Sequence, residues 1–298
     1  MHQIVMLAAV CAGILTGGSE AVIGSTPAIT ATPAWLADHL RDSDVVVLHV
    51  ASLRDDYTRA HIPGARFLWP AWLAVSTPEL GYEMPSVDSL AAVLRTLGVS
   101  NESRIVLCHV LGDVTGTARV FVTLDYLGMG DRTMILDGGL AAWQEAGLPV
   151  TSDDAEYAPG TFVPKVRQKT VVHLDSMRVC YNSPGVQVVD ARSPKEFDAT
   201  ASLNVFRGGH IPGAISIPAS TVVDSLDCYM PLDSLAARCE RAGLKPGHRI
   251  IAYCGVGRMA CPVYVAAKML GYDVGLYDGS FQEWSRKEDL PVEISEKK

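Results

Sequence analysis

Short unbroken apolar runs alternate along this chain with longer stretches whose apolar positions recur at helical spacing. Runs of the first kind predict strands at 44–50, 104–108 and 133–136, with another short strand after the turn His61-Ile62-Pro63-Gly64-Ala65. Stretches of the second kind predict helices at 87–97, 118–127 and 140–146. The same order returns in the second half, with strands at 186–190, 215–217, 249–253 and 274–277 and helices at 232–242, 260–270 and 281–286. Strands apolar on both faces and separated by helices belong to parallel sheets covered on both sides. The predicted class is therefore α/β, and ligands are expected beyond the carboxyl ends of the strands.

The alternation is also a repeat. His61-Ile62-Pro63-Gly64-Ala65 returns as His210-Ile211-Pro212-Gly213-Ala214, and Leu127-Gly128 as Leu270-Gly271. Leu136-Asp137-Gly138-Gly139, with Trp143 after it, returns as Tyr277-Asp278-Gly279-Ser280, with Trp284 after it; Leu148-Pro149-Val150 returns as Leu290-Pro291-Val292. Blocks in one shared order mean two copies of one domain. Between them, around residues 151–163, Asp, Ser, Pro and Gly gather without periodicity. The expected division is a first domain at 28–152, a linker at 153–163 and a second domain at 164–298.

A chain of 298 residues suits two domains of ordinary size, and 48% apolar with 19% charged residues excludes a disordered protein. A net charge of −8 argues against nucleic acid or an anionic membrane as the main partner, although local cations and amides still allow a small anion to bind. Residues 4–15 form an apolar run too short to span a bilayer, and Ser19-Glu20-Ala21 offers a cleavage site. A signal peptide within 1–24 and a periplasmic or secreted location are expected. Against this, Met1-His2-Gln3 carries no Lys or Arg, so a cytoplasmic chain that keeps its N-terminus is the alternative. A lipid-modified Cys11 would follow the bulky Val10 where a small residue is expected. The seven cysteines contain no Cys-x-x-Cys pair and no zinc spacing, so no metal and no cofactor is expected. Cys108, Cys180, Cys228 and Cys239 read as buried small hydrophobes.

Cys254 carries the chemistry. It follows the strand Ile250-Ile251-Ala252-Tyr253 and opens the loop Gly255-Val256-Gly257-Arg258-Met259 before a helical pattern. At that place loop amides and a helix N-terminus favour negative charge, so the thiol is expected to ionise easily, and the thiolate is the reactive form. Gly255 and Gly257 are expected to permit a tight path and a close approach, and Arg258 to hold an anionic ligand or else stay on the surface. Asp190 reads as a strand-end carboxylate that fixes its loop; Arg192 pairs with it or lines the pocket, and Arg207 supplies another cation. His61 and His210 read as pins of their own turns, and Asp278 and Trp284 as parts of the fold, with glycine needed for positive φ in the Asp-Gly turns. Cys261 is either a core residue or a resolving thiol.

The chain resembles the tandem-domain rhodaneses, the thiosulfate and 3-mercaptopyruvate sulfurtransferases. The matching residues are Val189-Asp190-Ala191-Arg192, Gly209-His210-Ile211-Pro212-Gly213-Ala214, the Cys254 loop, and Tyr277-Asp278-Gly279-Ser280 with Trp284. The resemblance implies two rhodanese-like domains, each a parallel sheet with helices on both faces, the second catalytic. It implies a Cys254 persulfide formed from a small anionic donor and passed to cyanide or a thiol; a thioredoxin-type reductant is a partner expected from the chemistry alone. The candidate substrate-binding residues are Gly255, Val256, Gly257, Arg258, Met259, Arg192 and Arg207, with Arg258 standing where the family has a small apolar residue. The resemblance puts His61 near an interdomain cleft, and Asp55 or Asp56 is its candidate partner. The alignment puts His109, ahead of Cys108, opposite Cys254. Gly255 matches the mercaptopyruvate enzymes, Val256 matches neither type, Met259 stands where Thr or Ser is usual, and a further family arginine is Glu196. A phosphatase would need its closing arginine further from the cysteine than Arg258. A persulfide carrier and an inactive member remain alternatives.

Overall fold

In the computed structural model residues 28–201 and 207–294 are described; the apolar run at 4–15, Cys11 and the candidate cleavage site lie outside them. The first half contains β1 (Thr30–Ala31), α1 (Pro33–His39), β2 (Val45–Val50), α2 (Arg54–Arg59), β3 (Arg66–Leu68), α3 (Val87–Thr96), β4 (Arg104–His109), α4 (Val114–Tyr126), β5 (Thr133–Leu136) and α5 (Gly139–Glu145). The second contains β6 (Val171–Val172), α6 (Leu174–Cys180), β7 (Val186–Asp190), α7 (Pro194–Phe197), β8 (Ile215–Ser216), α8 (Leu232–Ala242), β9 (Arg249–Tyr253), α9 (Cys261–Met269), β10 (Val274–Tyr277) and α10 (Ser280–Trp284). Each half is a five-stranded parallel sheet, ordered β1-β5-β4-β2-β3 and β6-β10-β9-β7-β8. In both, the chain reverses direction across the sheet between the two central strands. The crevice at that switch lies beyond β2 and β4 in one half and beyond β7 and β9 in the other.

The same local bonds hold both copies. Trp143 and Trp284 are fully buried, and each indole N–H donates to the carbonyl of the proline in the closing Leu-Pro-Val, at 2.8 Å to Pro149 and 2.8 Å to Pro291. His61 stacks on Tyr57 and donates from Nδ1 to the Tyr57 carbonyl at 2.7 Å; His210 does the same with Phe197 at 2.9 Å. The segment between the domains is packed rather than loose. Gly160 donates to the Arg95 carbonyl, Phe162 to Val99 and Lys165 to Leu127, and Phe162 is fully buried against the first domain.

The halves meet about an approximate two-fold axis, with α4 packed against α9. A loop closed by the Val75–Glu83 bridge reaches from the first domain, where Met84 N–H donates to Asp278 at 2.7 Å and Gly81 exchanges two bonds with Gln282. The corresponding loop of the second domain, closed by Val223–Tyr229, returns the contact: Tyr229 N–H donates to Asp137, the repeat counterpart of Asp278, at 3.3 Å. Asp125 of α4 accepts hydrogen bonds from Tyr264 and Lys268 of α9 and from Arg167. At the centre lies Arg119 of α4, with no exposure to solvent. It ion-pairs with Asp278 at 2.6 Å and donates to the carbonyls of Gly257 at 3.1 Å and Tyr82 at 3.0 Å. Arg119→Met leaves the Asp278 carboxylate buried without its cation, and is expected to cost about 3–5 kcal/mol in urea denaturation. A loss under about 1 kcal/mol would show that the joint does not depend on this pair.

Candidate active site

Strand β9 ends at Tyr253 and sets Cys254 at the switch-point crevice of the second sheet. The root of its loop is stitched to the start of α10: the Cys254 carbonyl accepts from Phe281 N–H at 2.9 Å and the Gly255 carbonyl from Gln282 N–H at 3.0 Å. Cys254 N–H donates to Ser280 Oγ at 3.2 Å, and that hydroxyl donates to the Tyr277 carbonyl at 2.9 Å. Glycine freedom falls differently in this turn from the expected pattern. Gly279 has an ordinary φ of −60°, and Ser280 takes the left-handed conformation at φ 53°, held there by its two side-chain bonds.

The backbone N–H groups of Val256, Ala260, Gly257 and Met259 act on the Cys254 sulfur and pull its pKa down. The thiol is only 1% exposed, and burial pushes its pKa up further than these amides pull it down. Easy ionisation, expected from the loop alone, is thus overridden by desolvation in the resting state. Gly257 meets both demands placed on it: its φ is +76° and its Cα faces the Asp278 carbonyl, where a side chain has no room. Gly255 meets neither, having no positive φ and open space where a Cβ would stand. Val256 and Met259 are 40% and 46% exposed at the crown of the loop.

The expected cations part company. Arg258 stays beside the loop, its Nη2 3.2 Å from Asp113 of the first domain and its guanidinium 5.8 Å from the Tyr82 ring. Arg192 is buried, bonded to both carboxylate oxygens of Asp190 and to the Gly209 carbonyl, and stacked over Phe281 at 4.0 Å. Arg207 donates to the carbonyls of Ser285, Lys287 and Leu290, just past α10. The structure therefore gives Arg192 and Arg207 structural bonds, and Arg192 lies over Phe281, whose N–H holds the Cys254 carbonyl. Glu196 also turns away from the crevice: it closes a capping box on Ser193 at the start of α7. His61 lies inside the first domain with its Nε2 3.1 Å from the Asp153 carbonyl, and Asp56 pairs with Arg59 instead. Cys261 is buried, its thiol donating to the Gly257 carbonyl at 3.3 Å and pushed up to about 12 by burial. Among the described residues it forms no disulfide with Cys254.

Register identifies the counterpart of Cys254. Arg104 N–H bonds the Asp44 carbonyl as Arg249 N–H bonds that of Gly185, so the two strands superpose residue for residue and His109 takes the place of Cys254. Cys108 falls beneath it, in the core, its thiol raised to about 12 by burial. His109 and its neighbour His49 are both buried, with no hydrogen bond to any ring nitrogen. Sequence reasoning placed His109 opposite Cys254 but missed its neighbour His49, and it missed Arg119 and the role of Ser280.

Ser280→Ala removes the acceptor of Cys254 N–H and keeps the left-handed backbone; Ser280→Gly removes the same bond and relaxes the backbone. Alanine is expected to be the less stable by about 1 kcal/mol in chemical denaturation, and equal losses would refute the strain. Burial depresses His49 to about 4 from 6.5, so the folded state holds it neutral. That stability is complete above pH 6.5 and drains away as pH falls toward 4. His49→Leu is expected to flatten this acid limb by up to roughly 3 kcal/mol, read from urea titrations across the window.

Comparison with known proteins accords with this geometry. The chain matches the rhodanese-like domain twice, over residues 32–146 and 176–287. It is 30% identical over 88% of its length to thiosulfate/3-mercaptopyruvate sulfurtransferase 1, mitochondrial, of Arabidopsis thaliana, covering 77% of that protein. It is 28% identical over 89% of its length to the sulfur carrier protein TtuD of Thermus thermophilus, covering 96%. Among solved structures, SseA from Escherichia coli, a 3-mercaptopyruvate sulfotransferase, superposes with a TM-score of 0.76 at 28% identity, over 85% of this chain and 99% of that one. Two tandem domains, each a parallel five-stranded sheet with helices about it, make this chain a member of the rhodanese family.

Proposed function

We propose that the chain is a sulfurtransferase in which Cys254 carries a sulfane sulfur from thiosulfate or 3-mercaptopyruvate to a thiophile. The observation that carries the reading is a single buried cysteine at the sheet's switch point, at the head of a loop whose backbone N–H groups favour its anion. Attack by the thiolate forms a new S–S bond. With thiosulfate the donor S–S bond breaks and sulfite leaves with the electron pair; with 3-mercaptopyruvate a C–S bond breaks and the pyruvate enolate leaves, then takes up a proton. The anionic persulfide rests against these loop amides. A thiophile such as cyanide or a thiol then attacks the outer sulfur, and the Cys254 thiolate departs. Burial keeps the thiol protonated until a donor arrives, which protects it from oxidation.

The exposed Val256 and Met259 beside the loop favour a protein thiol as acceptor, with a thioredoxin-type reductant as one such partner. The carrier role, suggested by the Thermus relative, is the second reading, and the same apolar crown supports it. The apolar run at 4–15 supports export to the periplasm or beyond.

Thiocyanate formation from cyanide, with each donor in parallel, tests the reading. Turnover with at least one donor is expected, and Cys254→Ala should lower it by at least about a thousandfold. No turnover with either donor would remove the small-donor enzyme and leave the carrier.

A further inference from the structure

Asp113 is the N-cap residue of α4, yet its carboxylate makes no bond to that helix. An aspartate in this place ordinarily caps its own helix, worth about 1 kcal/mol. Here Ser52 turns it away, donating from N–H at 2.8 Å and from Oγ at 3.1 Å. Its other partner is Arg258, across the domain boundary at 3.2 Å. Gly116 makes room for the pair: a Cβ there would stand 3.4 Å from Arg258 Nη2 and 3.2 Å from the Pro70 ring. Asp113 is 9% exposed, so the contact is largely shielded from water and salt.

Both residues follow the left-handed glycine of their loops, Gly112 at φ 92° and Gly257 at φ 76°. The loop of the first domain thus hands a carboxylate to the one arginine that the loop of the second carries. With Arg192 and Arg207 committed to carbonyls and to Asp190, and the buried Arg119 to Asp278 and the Gly257 and Tyr82 carbonyls, Arg258 is the partly exposed guanidinium that the loop itself carries.

The geometry points to Asp113 as a resident anion that occupies the anion-binding edge of Arg258 and must be displaced by the carboxylate or sulfonate of an incoming ligand. It is a specificity-determining residue for the site, and this rests on the reading of that site as one for small anions. A carboxylate held by two bonds from Ser52 competes with every ligand at a fixed effective concentration, so weak or singly contacting anions are excluded. A ligand that also reaches the loop amides makes contacts that Asp113 cannot, and displaces it.

The test uses anions that do not react, so that it is independent of turnover. Pyruvate and sulfate are titrated by calorimetry into the full-length chain with Cys254→Ala, alone and with Asp113→Asn. The substitution is expected to tighten both anions about tenfold and to leave the neutral pyruvamide unchanged, with the same thermal midpoint within a few degrees. Ser52→Ala, which loosens Asp113 without altering charge, is expected to tighten them in the same direction by a smaller factor. Equal affinities with and without Asp113 would overturn the proposal. So would the same tightening in an Arg258→Met background, since that would make Asp113 a distant repelling charge only. Failure of the turnover assay with intact anion competition would strike the sulfur-donor reading and spare this one.

Discussion

Everything at the junction of the two domains hangs on the buried guanidinium of Arg119. An arginine taken fully out of water is expensive, and its ion pair with Asp278 alone offsets that only in part. Nη1 and Nη2 also donate to two carbonyls in different segments: Tyr82 in the loop that crosses from the first domain, and Gly257 in the turn after the cysteine. One side chain therefore ties together the apposition of the halves, the crossing loop and the curvature of the candidate site. The second domain holds the cysteine, but the first helps set the shape of the loop around it. A chain truncated to its second half would carry Cys254 without Arg119 and Met84, the first-domain partners of Asp278.

Much of this was legible beforehand. The central strands at 186–190, 249–253 and 274–277 and the helix at 232–242 coincide with their expected limits, because long apolar runs bounded by polar turns leave little choice. β1, β6 and the helices α1, α2, α6 and α7 did not stand out, being too short for a period to show; α7 is announced only by its Ser193–Glu196 box. Arg119 had a signal of its own, the one basic residue in a helix with apolar residues on most of its faces, and such a helix is buried on most sides. The pair of Arg192 with Asp190, two residues before it, was legible and is present. The carbonyls that Arg192 and Arg207 also hold are chosen by the tertiary fold, which no spacing along the chain reveals. Ser280 was hidden for the opposite reason: the repeat places it where the first copy has glycine, and its left-handed backbone depends on bonds to residues far away.

The two crevices show how one backbone is put to different uses. Beyond β9 the strand end delivers a thiol to a loop whose amides favour its anion; beyond β4 the equivalent group is an imidazole, buried next to a second imidazole, with neither making a hydrogen bond. Burial holds both rings neutral, and an acidic residue, Asp113, follows where the second domain has its arginine. The first crevice has thus lost the means to stabilise a bound anion of its own, and its loop acts on the other site.

Pairing between residues at equivalent places in the repeat has a consequence for which halves can pair. Asp113 meets Arg258, and Asp125, the same distance before its Leu-Gly as Lys268 is before the other, meets Lys268. Residues on a two-fold axis face their own counterparts, so in a symmetric pair of first halves aspartate would oppose aspartate, and in a pair of second halves arginine and lysine would oppose themselves. Each half is thus repelled by its own likeness and complementary to its sibling. With opposite charges at these two places, pairing of unlike halves satisfies both contacts, and pairing of like halves satisfies neither.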